Sequence, residues 1–462
     1  MLSLAGRPQR FCDGVSRRTF LQIGALGLGG LTLPDLLGAT KDRTSAKSIV
    51  MVYLPGGPTQ FETVDPKPEA PVEIRGACRP IETNVSGIQF CELLPKLARM
   101  TDRLAVLRSI VGSKNRHESF FCYTGRHSGR PAEGDEEPSG GWPSIGAVVS
   151  KLLGPGANRM PPFVDAAPKM SYGPYNNNGQ HDFGNIISWP GFLGHPHTPF
   201  HVEGPGKEDL VLDSISSRRL IERKTLLDAF DRFRSDVDAS GVFSGLDASR
   251  QQALDILTSN RLAMALDLER EDPRVRERYG PATPTSVGFG GAAIDPQRLL
   301  LTRRLIEAGV RCVTVALGAW DWHGNRGGPV EKISREYLPS FDHSLSVFIQ
   351  DLDERGLLDD VMIVVWGEFG RTPRINAKGG RDHWPQVSPA IMAGGGMRTG
   401  QVVGVTDPQG GEAIERPVHM QEVLATLYHH VGIDVASTTV NDLSGRPHYL
   451  VDEGRGPIEE LI

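Results

Sequence analysis

The amino-acid sequence predicts an α/β protein: a doubly wound, mostly parallel sheet with a helical cap inserted into it. Three observations predict this. Short runs of consecutive apolar residues, SIVMVY, VRCVTVAL and VMIVVW, read as strands buried on both faces. Segments of helical length, such as PQRLLLTRRLIEAG and REYLPSFDHSLSVFIQDLDERGLL, alternate with those strands. Between about residues 206 and 290 the alternation gives way to long polar helical patterns, SRRLIERKTLLDAFDRFRSDVD and SRQQALDILTSNRLAMALDL. These read as the cap.

In chain order, the first feature is SRRTFLQ, followed by the apolar, glycine-rich IGALGLGGLTLPDLLGA. Paired arginines before a modest apolar region read as a twin-arginine export signal over residues 1–39, which places the protein in the periplasm or outside the cell. The alternative is a basic surface patch before a core helix. Pro34 and the glycines argue against a stable spanning helix. Ala39 is a candidate last signal residue, and an uncleaved signal would tether the chain to a membrane. The domain then runs over residues 45–462. KSIVMVYLPGG is a strand ending in a glycine turn, and ELLPKLARMTDRLAVLRSI a helix leading into a strand. WPSIGAVVSKLLG is a helix starting near Pro143, and PPFVDAA a short strand. Residues 171–205, rich in Gly, Asn, His and Pro, read as an irregular excursion. After the cap, the strands VRCVTVALG, DVMIVVWG and SPAIMAGGG and the closing helix HMQEVLATLYHHVG restore the α/β rhythm.

Composition narrows the class. With 39% hydrophobic and 23% charged residues, the chain is an ordinary globular protein. A net charge of −6 offers no general attraction to nucleic acid, so no nucleic-acid partner is expected. The five cysteines include no CxxC pair, which argues against a thiolate zinc site. Cys12 would leave with the signal. Cys78 and Cys91 could pair across a short loop, or remain free buried thiols.

Ligands in parallel sheets bind at the carboxyl ends of strands, and several polar groups fall there. Asp321 and His323 follow VRCVTVAL, two residues apart, where an extended segment points both the same way and both could reach one cation. A turn with an exposed His is the plain alternative. Glu368 follows VMIVVW and could be a metal ligand or a salt-bridge partner of Arg371. Asp382 and His383 sit in the loop GGRDHW, where both could bind metal or the Asp could orient the His. After the first strand, LPGGPTQFETVDPKP supplies Glu62, Thr63 and Asp65 as ligand or nucleophile candidates, although Pro, Gly and Asp also build turns. The stretch NRHESFFCYTGRHSG supplies Asn115, His117, Ser119, Thr124, Arg126 and His127. Arg and His there could hold an anion, and His117 could transfer a proton. His195, His197 and His201 in GHPHTPFH read as a surface loop.

Taken together, the export signal, LPGGPTQFETVDPKP, NRHESFFCYTGRHSG, DWHGN, EFGRTP, GGRDHW and the closing GRPHYLVDEGRGPIEEL resemble one family. It is a secreted bacterial domain-of-unknown-function family in the alkaline phosphatase and sulfatase superfamily. The resemblance covers nearly the whole mature chain. It implies an alkaline phosphatase-like sheet with divalent metal, zinc, calcium or another, at the strand ends. It implies that Asp321, His323 and His383 hold one metal, with Asp382 beside them. Glu368 stands where a second site has Asp, Phe369 where that site has His, and Asp65 or Glu62 supplies the early acid. Asn115 stands at the position of the usual nucleophile, and asparagine cannot attack phosphorus or sulfur usefully. His117, Ser119, Thr63 or a metal-activated water would have to substitute, while Arg126 and Arg371 would hold the anion. The implied activity is metal-dependent hydrolysis of phosphate or sulfate esters, sulfated or phosphorylated glycans among them. The alternative is a secreted binding protein on the same scaffold.

Overall fold

A computed structural model describes residues 47–115, 117, 119–126, 141–156, 158, 160–168, 190–203, 261–282, 291–324, 327–442 and 444–462. The export signal, His127, most of the excursion and the larger part of the cap lie outside the described residues.

The predicted apolar runs form strands of one sheet. They are β1 (Ser48–Tyr53), β2 (Leu104–Val111), β3 (Phe163–Asp165), β4 (Phe200–His201), β5 (Cys312–Ala316), β6 (Val361–Trp366), β7 (Ser388–Gly394), β8 (Gln401–Val403) and β9 (Val418–His419). Their spatial order is β8-β2-β7-β6-β1-β5-β3-β4, with β9 beside β2. β1 lies centrally, parallel to both neighbours, with Val50 facing Val313 of β5 and Ile363 of β6. The mostly parallel sheet is as expected. Among the described strands of this sheet only β7 runs against its neighbours, β6 and β2. Between β6 and β7 the chain makes a short excursion with no described helix, and an antiparallel neighbour needs no crossover helix.

Alternation along each strand supplies two apolar faces. Val50 and Val52 of β1 and Val361, Ile363 and Val365 of β6 face one side, against Leu299, Leu305, Phe341, Leu345 and Phe348. Ile49, Met51, Met362 and Val364 face the other side, with Ile145, Val149, Val423, Leu424 and Leu427. The helices are α1 (Ser119–Thr124), α2 (Ile145–Leu153), α3 (Pro296–Glu307), α4 (Val330–Glu354) and α5 (Met420–His430). Their starts carry ordinary caps. Ser144 accepts from the Ala147 N–H before α2, and Asp295 accepts from the Gln297 N–H before α3, which has Pro296 in its first turn. His419 and Glu422 make a reciprocal capping box at α5. Of the cap, the short helices Arg261–Leu266 and Pro273–Tyr279 are described. The first is held by Arg304, which donates to Met264 O at 2.6 Å and Ala265 O at 3.0 Å. Among the described residues no helix is long and apolar enough to cross a membrane.

Because β1, β5 and β6 are parallel neighbours, their carboxyl ends open on one edge of the sheet. Away from that edge, α4 carries Asp342, which is buried and accepts from the Leu97 and Lys96 N–H groups at 2.8 and 3.0 Å. Burial pushes its carboxyl up to about 6, despite those bonds and the charges of Lys96 and Arg99. An acid raised in the folded state binds its proton more tightly there, so its contribution weakens as pH rises through that window. The stability of Asp342→Asn relative to wild type should therefore improve between pH 4 and pH 7, by about 2 kcal/mol. Urea unfolding at both pH values measures this, and an unchanged difference would refute it.

Candidate metal centre

The loop after β5 reads Trp320-Asp321-Trp322-His323, and the alternation decides where its side chains go. The two indoles are buried and stacked, with ring centroids 5.1 Å apart. Their N–H groups donate to Leu317 O and Ala319 O at 2.8 and 2.6 Å. With both tryptophans anchored in the core, Asp321 and His323 are left to the opposite side of the segment. The first loop presses against this one. A Cβ on Gly56 would lie 2.5 Å from the Asp321 nitrogen, and Gly56 has φ +99°, so only glycine serves there.

Glu368 follows β6 and is buried. It accepts from the Tyr53 hydroxyl and the Gly56 N–H, each at 2.9 Å, and its Oε1 lies 3.0 Å from Nδ1 of His117. Two residues on, Gly370–Arg371 pairs antiparallel with His383–Trp384, which makes His383 the cross-strand partner of Arg371. The Arg371 guanidinium is 1% exposed and is held through all three of its nitrogens. Nε donates to Gly57 O at 3.0 Å and Nη1 to Arg381 O at 3.0 Å. Nη2 donates to Trp320 O at 3.1 Å, to Asp321 Oδ1 at 2.6 Å and to Gly56 O. Of the two readings of Glu368, ligand or partner of Arg371, the second does not hold: Arg371 pairs with Asp321.

Four donors converge beside this arginine. Asp321 Oδ1 lies 2.9 Å from His323 Nε2, 3.0 Å from His383 Nε2 and 3.7 Å from His117 Nε2. The two nitrogens Nε2 of His323 and His383 are 2.9 Å apart. One ligand atom each from His117, Asp321 and His383 lie within 4.8 Å of one another, close enough to reach one ion. The far nitrogens of two imidazoles are held by carboxylates: Nδ1 of His117 by Glu368, and Nδ1 of His323 by Asp382 at 2.7 Å. That arrangement turns Nε2 toward a metal and fixes the ring. Imidazole nitrogens and an anionic oxygen suit a borderline divalent cation. Burial alone would raise the Asp321 carboxyl, but contact with His323 and His383 and the charges of Arg371 and His117 hold it far below the usual carboxylate range. Asp321 raises His323, while burial lowers His383.

The structure therefore brings Asp321, His323, Glu368, Asp382, His383, His117 and Arg371 together, with Glu368 and Asp382 bracing imidazoles. Phe369 packs on His383, ring centroids 4.4 Å apart. Other expected residues lie in different surroundings. Asp65 is ion-paired with Lys67 at 3.1 Å and Arg108 at 3.4 Å, and accepts from Thr406. Glu62 is paired with Arg381. The Thr63 hydroxyl donates to Thr59 O, and that of Thr124 to Phe120 O within its own helix. Ser119 is buried at the start of α1 and Asn115 is exposed. Arg126, expected to grip an anion, is ion-paired with Asp452 and stacks over Trp142 at 4.4 Å. Arg371, given the same role, is buried and donates to Gly56, Gly57, Trp320, Asp321 and Arg381. The histidines of GHPHTPFH do not converge. His197 meets Ser150 at 3.1 Å and is lowered to about 4 by burial and Lys151, while His201 faces Asp165 at 3.3 Å.

Sequence reasoning missed the buried pair beneath the centre. Arg381 is fully buried and reaches Glu62 through Nε at 3.0 Å and Nη2 at 2.7 Å, stacks over Phe61 at 4.2 Å, and donates to Ile74 O at 2.7 Å. It immediately precedes Asp382 and His383. The alternation W-D-W-H was a readable signal for the first loop. Arg381 carried none beyond its place in GGRDHW.

Residues 46–462 match the family described as "Protein of unknown function (DUF1501)". The chain belongs to the DUF1501 family. The comparison with curated proteins finds no match. Among solved structures, this DUF1501 protein is similar to a sulfatase from Pseudoalteromonas sp. at 12% identity, over 85% of this chain and 72% of that one, with TM-score 0.35. It is similar to a phosphonate monoester hydrolase from Silicibacter pomeroyi at 13% identity, over 83% and 72%, with TM-score 0.36. A lipoteichoic acid synthase from Listeria monocytogenes matches at 13% identity, over 85% and 74%, with TM-score 0.34.

In the DUF1501 protein, breaking the Glu62–Arg381 pair from one side leaves a buried charge uncompensated. Glu62→Gln and Arg381→Met should each lower stability by about 3–5 kcal/mol. The double variant Glu62→Leu/Arg381→Met should cost less than either single change. Denaturant unfolding of the three variants measures this, and additive losses would count against it.

Proposed function

We propose that this DUF1501 protein is a metal-dependent hydrolase of phosphate or sulfate esters, sulfated or phosphorylated glycans among the substrates. The observation that carries the metal is the convergence of three imidazole Nε2 atoms on Asp321 Oδ1, with Glu368 and Asp382 behind two of the rings. The choice of ester follows the superfamily resemblance of the sequence motifs. His117, Asp321, His323 and His383 would hold the cation. A divalent cation supplies Lewis acidity, polarising an ester oxygen and lowering the pKa of a water.

The protein's own groups do the rest. Arg371 keeps Asp321 anionic and immobile. Glu368 orients His117 through Nδ1, and Phe369 shields one side of His383. Asp382 orients His323 in the same way through Nδ1. With Asn115 exposed and without nucleophilic chemistry, the attacking group in this reading is water. The twin-arginine reading of SRRTFLQ accords with a folded, metal-loaded protein in the periplasm or beyond. The same Asn115 is the one observation favouring a binding protein that does not turn its ligand over.

Elemental mass spectrometry of the purified full chain, beside Asp321→Ala and Asp65→Asn, tests the metal. Wild type and Asp65→Asn should carry a divalent cation that Asp321→Ala loses. Turnover of aryl sulfate and aryl phosphate esters by the loaded protein tests the reaction, and Asp321→Ala should lose at least about 100-fold in kcat/KM. A folded wild type without metal overturns the metal reading. A loaded protein inert toward both esters, yet retaining a sulfated glycan, moves the assignment to a binding protein.

A further inference from the structure

Two buried thiols lie together outside the metal centre. Pro80–Glu82 and Gln89–Cys91 pair as an antiparallel hairpin in which Pro80 faces Cys91. The Glu92 N–H donates to Arg79 O at 2.7 Å, so the two segments stay adjacent one step further out. Alternation along the pair then puts Cys78 and Cys91 on one face as diagonal neighbours. The neighbouring Cys78 side chain, and then burial, push the Cys91 thiol well up, and both cysteines are buried. Cys122 and Cys312, by contrast, are packed among apolar side chains of the sheet core.

The thiol pair also adjoins the Glu62–Arg381 pair. The Cys91 N–H donates to Thr63 O at 2.8 Å, which ties the hairpin to the loop bearing Glu62. Ile74 O accepts from Arg381, and a Cβ on Gly76 would lie 3.0 Å from Glu62 Oε1 and 3.4 Å from Arg381 Nη2. The segment Ile74–Cys78 is therefore one wall of the buried pair, and Cys91 stands at its end.

We propose that Cys78 and Cys91 form a disulfide when the chain folds in the presence of an oxidising disulfide, closing the wall around Glu62 and Arg381. The oxidant belongs to the class of oxidised glutathione or a thiol–disulfide oxidoreductase. The Cys78 thiolate attacks one oxidant sulfur, forming a mixed disulfide and releasing the first thiol. Cys91 Sγ, giving up its proton, attacks Cys78 Sγ and releases the second. Two protein thiols are oxidised, and one oxidant disulfide is reduced to two thiols. The bond restricts the unfolded chain across the hairpin and holds Ile74 O against Arg381 in the folded one.

The test folds the full chain in a couple of reduced and oxidised glutathione, denatures it without reductant, alkylates it with iodoacetamide and maps the peptides. The Cys78 and Cys91 peptides should be linked and unlabelled, with Cys122 and Cys312 labelled. Reductant should release the link and lower the Tm of wild type by several degrees, while leaving the Tm of Cys78→Ser/Cys91→Ser unchanged. Full alkylation of Cys78 and Cys91 without reductant overturns the proposal. So does linkage of either cysteine to another residue, or their recovery as separate glutathione adducts. The wild-type map decides the matter even if the double variant fails to fold, and it is independent of whether the metal centre turns over an ester.

Discussion

Arg371 is a full positive charge with almost no contact with water, and the rest of the site depends on how that charge is satisfied. An unpaired buried guanidinium would cost several kcal/mol, so every donor must find an acceptor. The acceptors come from the loops after β1, β5 and β6: Gly56 and Gly57, Trp320 and Asp321, and the carbonyl of Arg381. One side chain therefore fastens three strand ends, the Asp321–His323 loop among them, into a single arrangement. A lysine would carry the same charge without the planar fork that reaches several acceptors at once.

The consequence for Asp321 is electrostatic. Burial works against its charged form, but an arginine at 2.6 Å and three imidazoles within 3.7 Å keep it ionised. The imidazoles are placed in turn by groups that never reach the centre. Glu368 is gripped by Tyr53 and Gly56, and Asp382 stands next to the buried Arg381. The centre is small because its supports are extensive: glycines where loops touch, a stacked tryptophan pair behind the Asp-His loop, and a second buried ion pair beneath the hairpin.

Of the residues singled out as catalytic or metal-binding, seven meet in one place, while others have surroundings of their own. Asp65 neutralises Lys67 and Arg108, and Arg126 belongs to Asp452 and Trp142. Asn115 is exposed. A polar residue after a strand looks the same in sequence whether it binds a ligand or answers a neighbouring charge. An answering charge can lie far along the chain, as Asp452 does from Arg126.

What the sequence determined by itself was periodicity. Consecutive apolar residues in β1, β5 and β6 dictated strands buried on both faces, amphipathic segments dictated covering helices, and W-D-W-H dictated which loop side chains face away from the core. These are local consequences of backbone geometry and the hydrophobic effect. The tertiary structure alone decided that Arg371 belongs to Asp321 and not to Glu368, that Arg381 is buried against Glu62, that β7 runs backward, and that Cys78 lies beside Cys91. Each of those outcomes pairs a charge, a strand edge or a thiol with a partner brought near only by folding. Such pairing is settled by the desolvation of groups that the linear pattern does not place together.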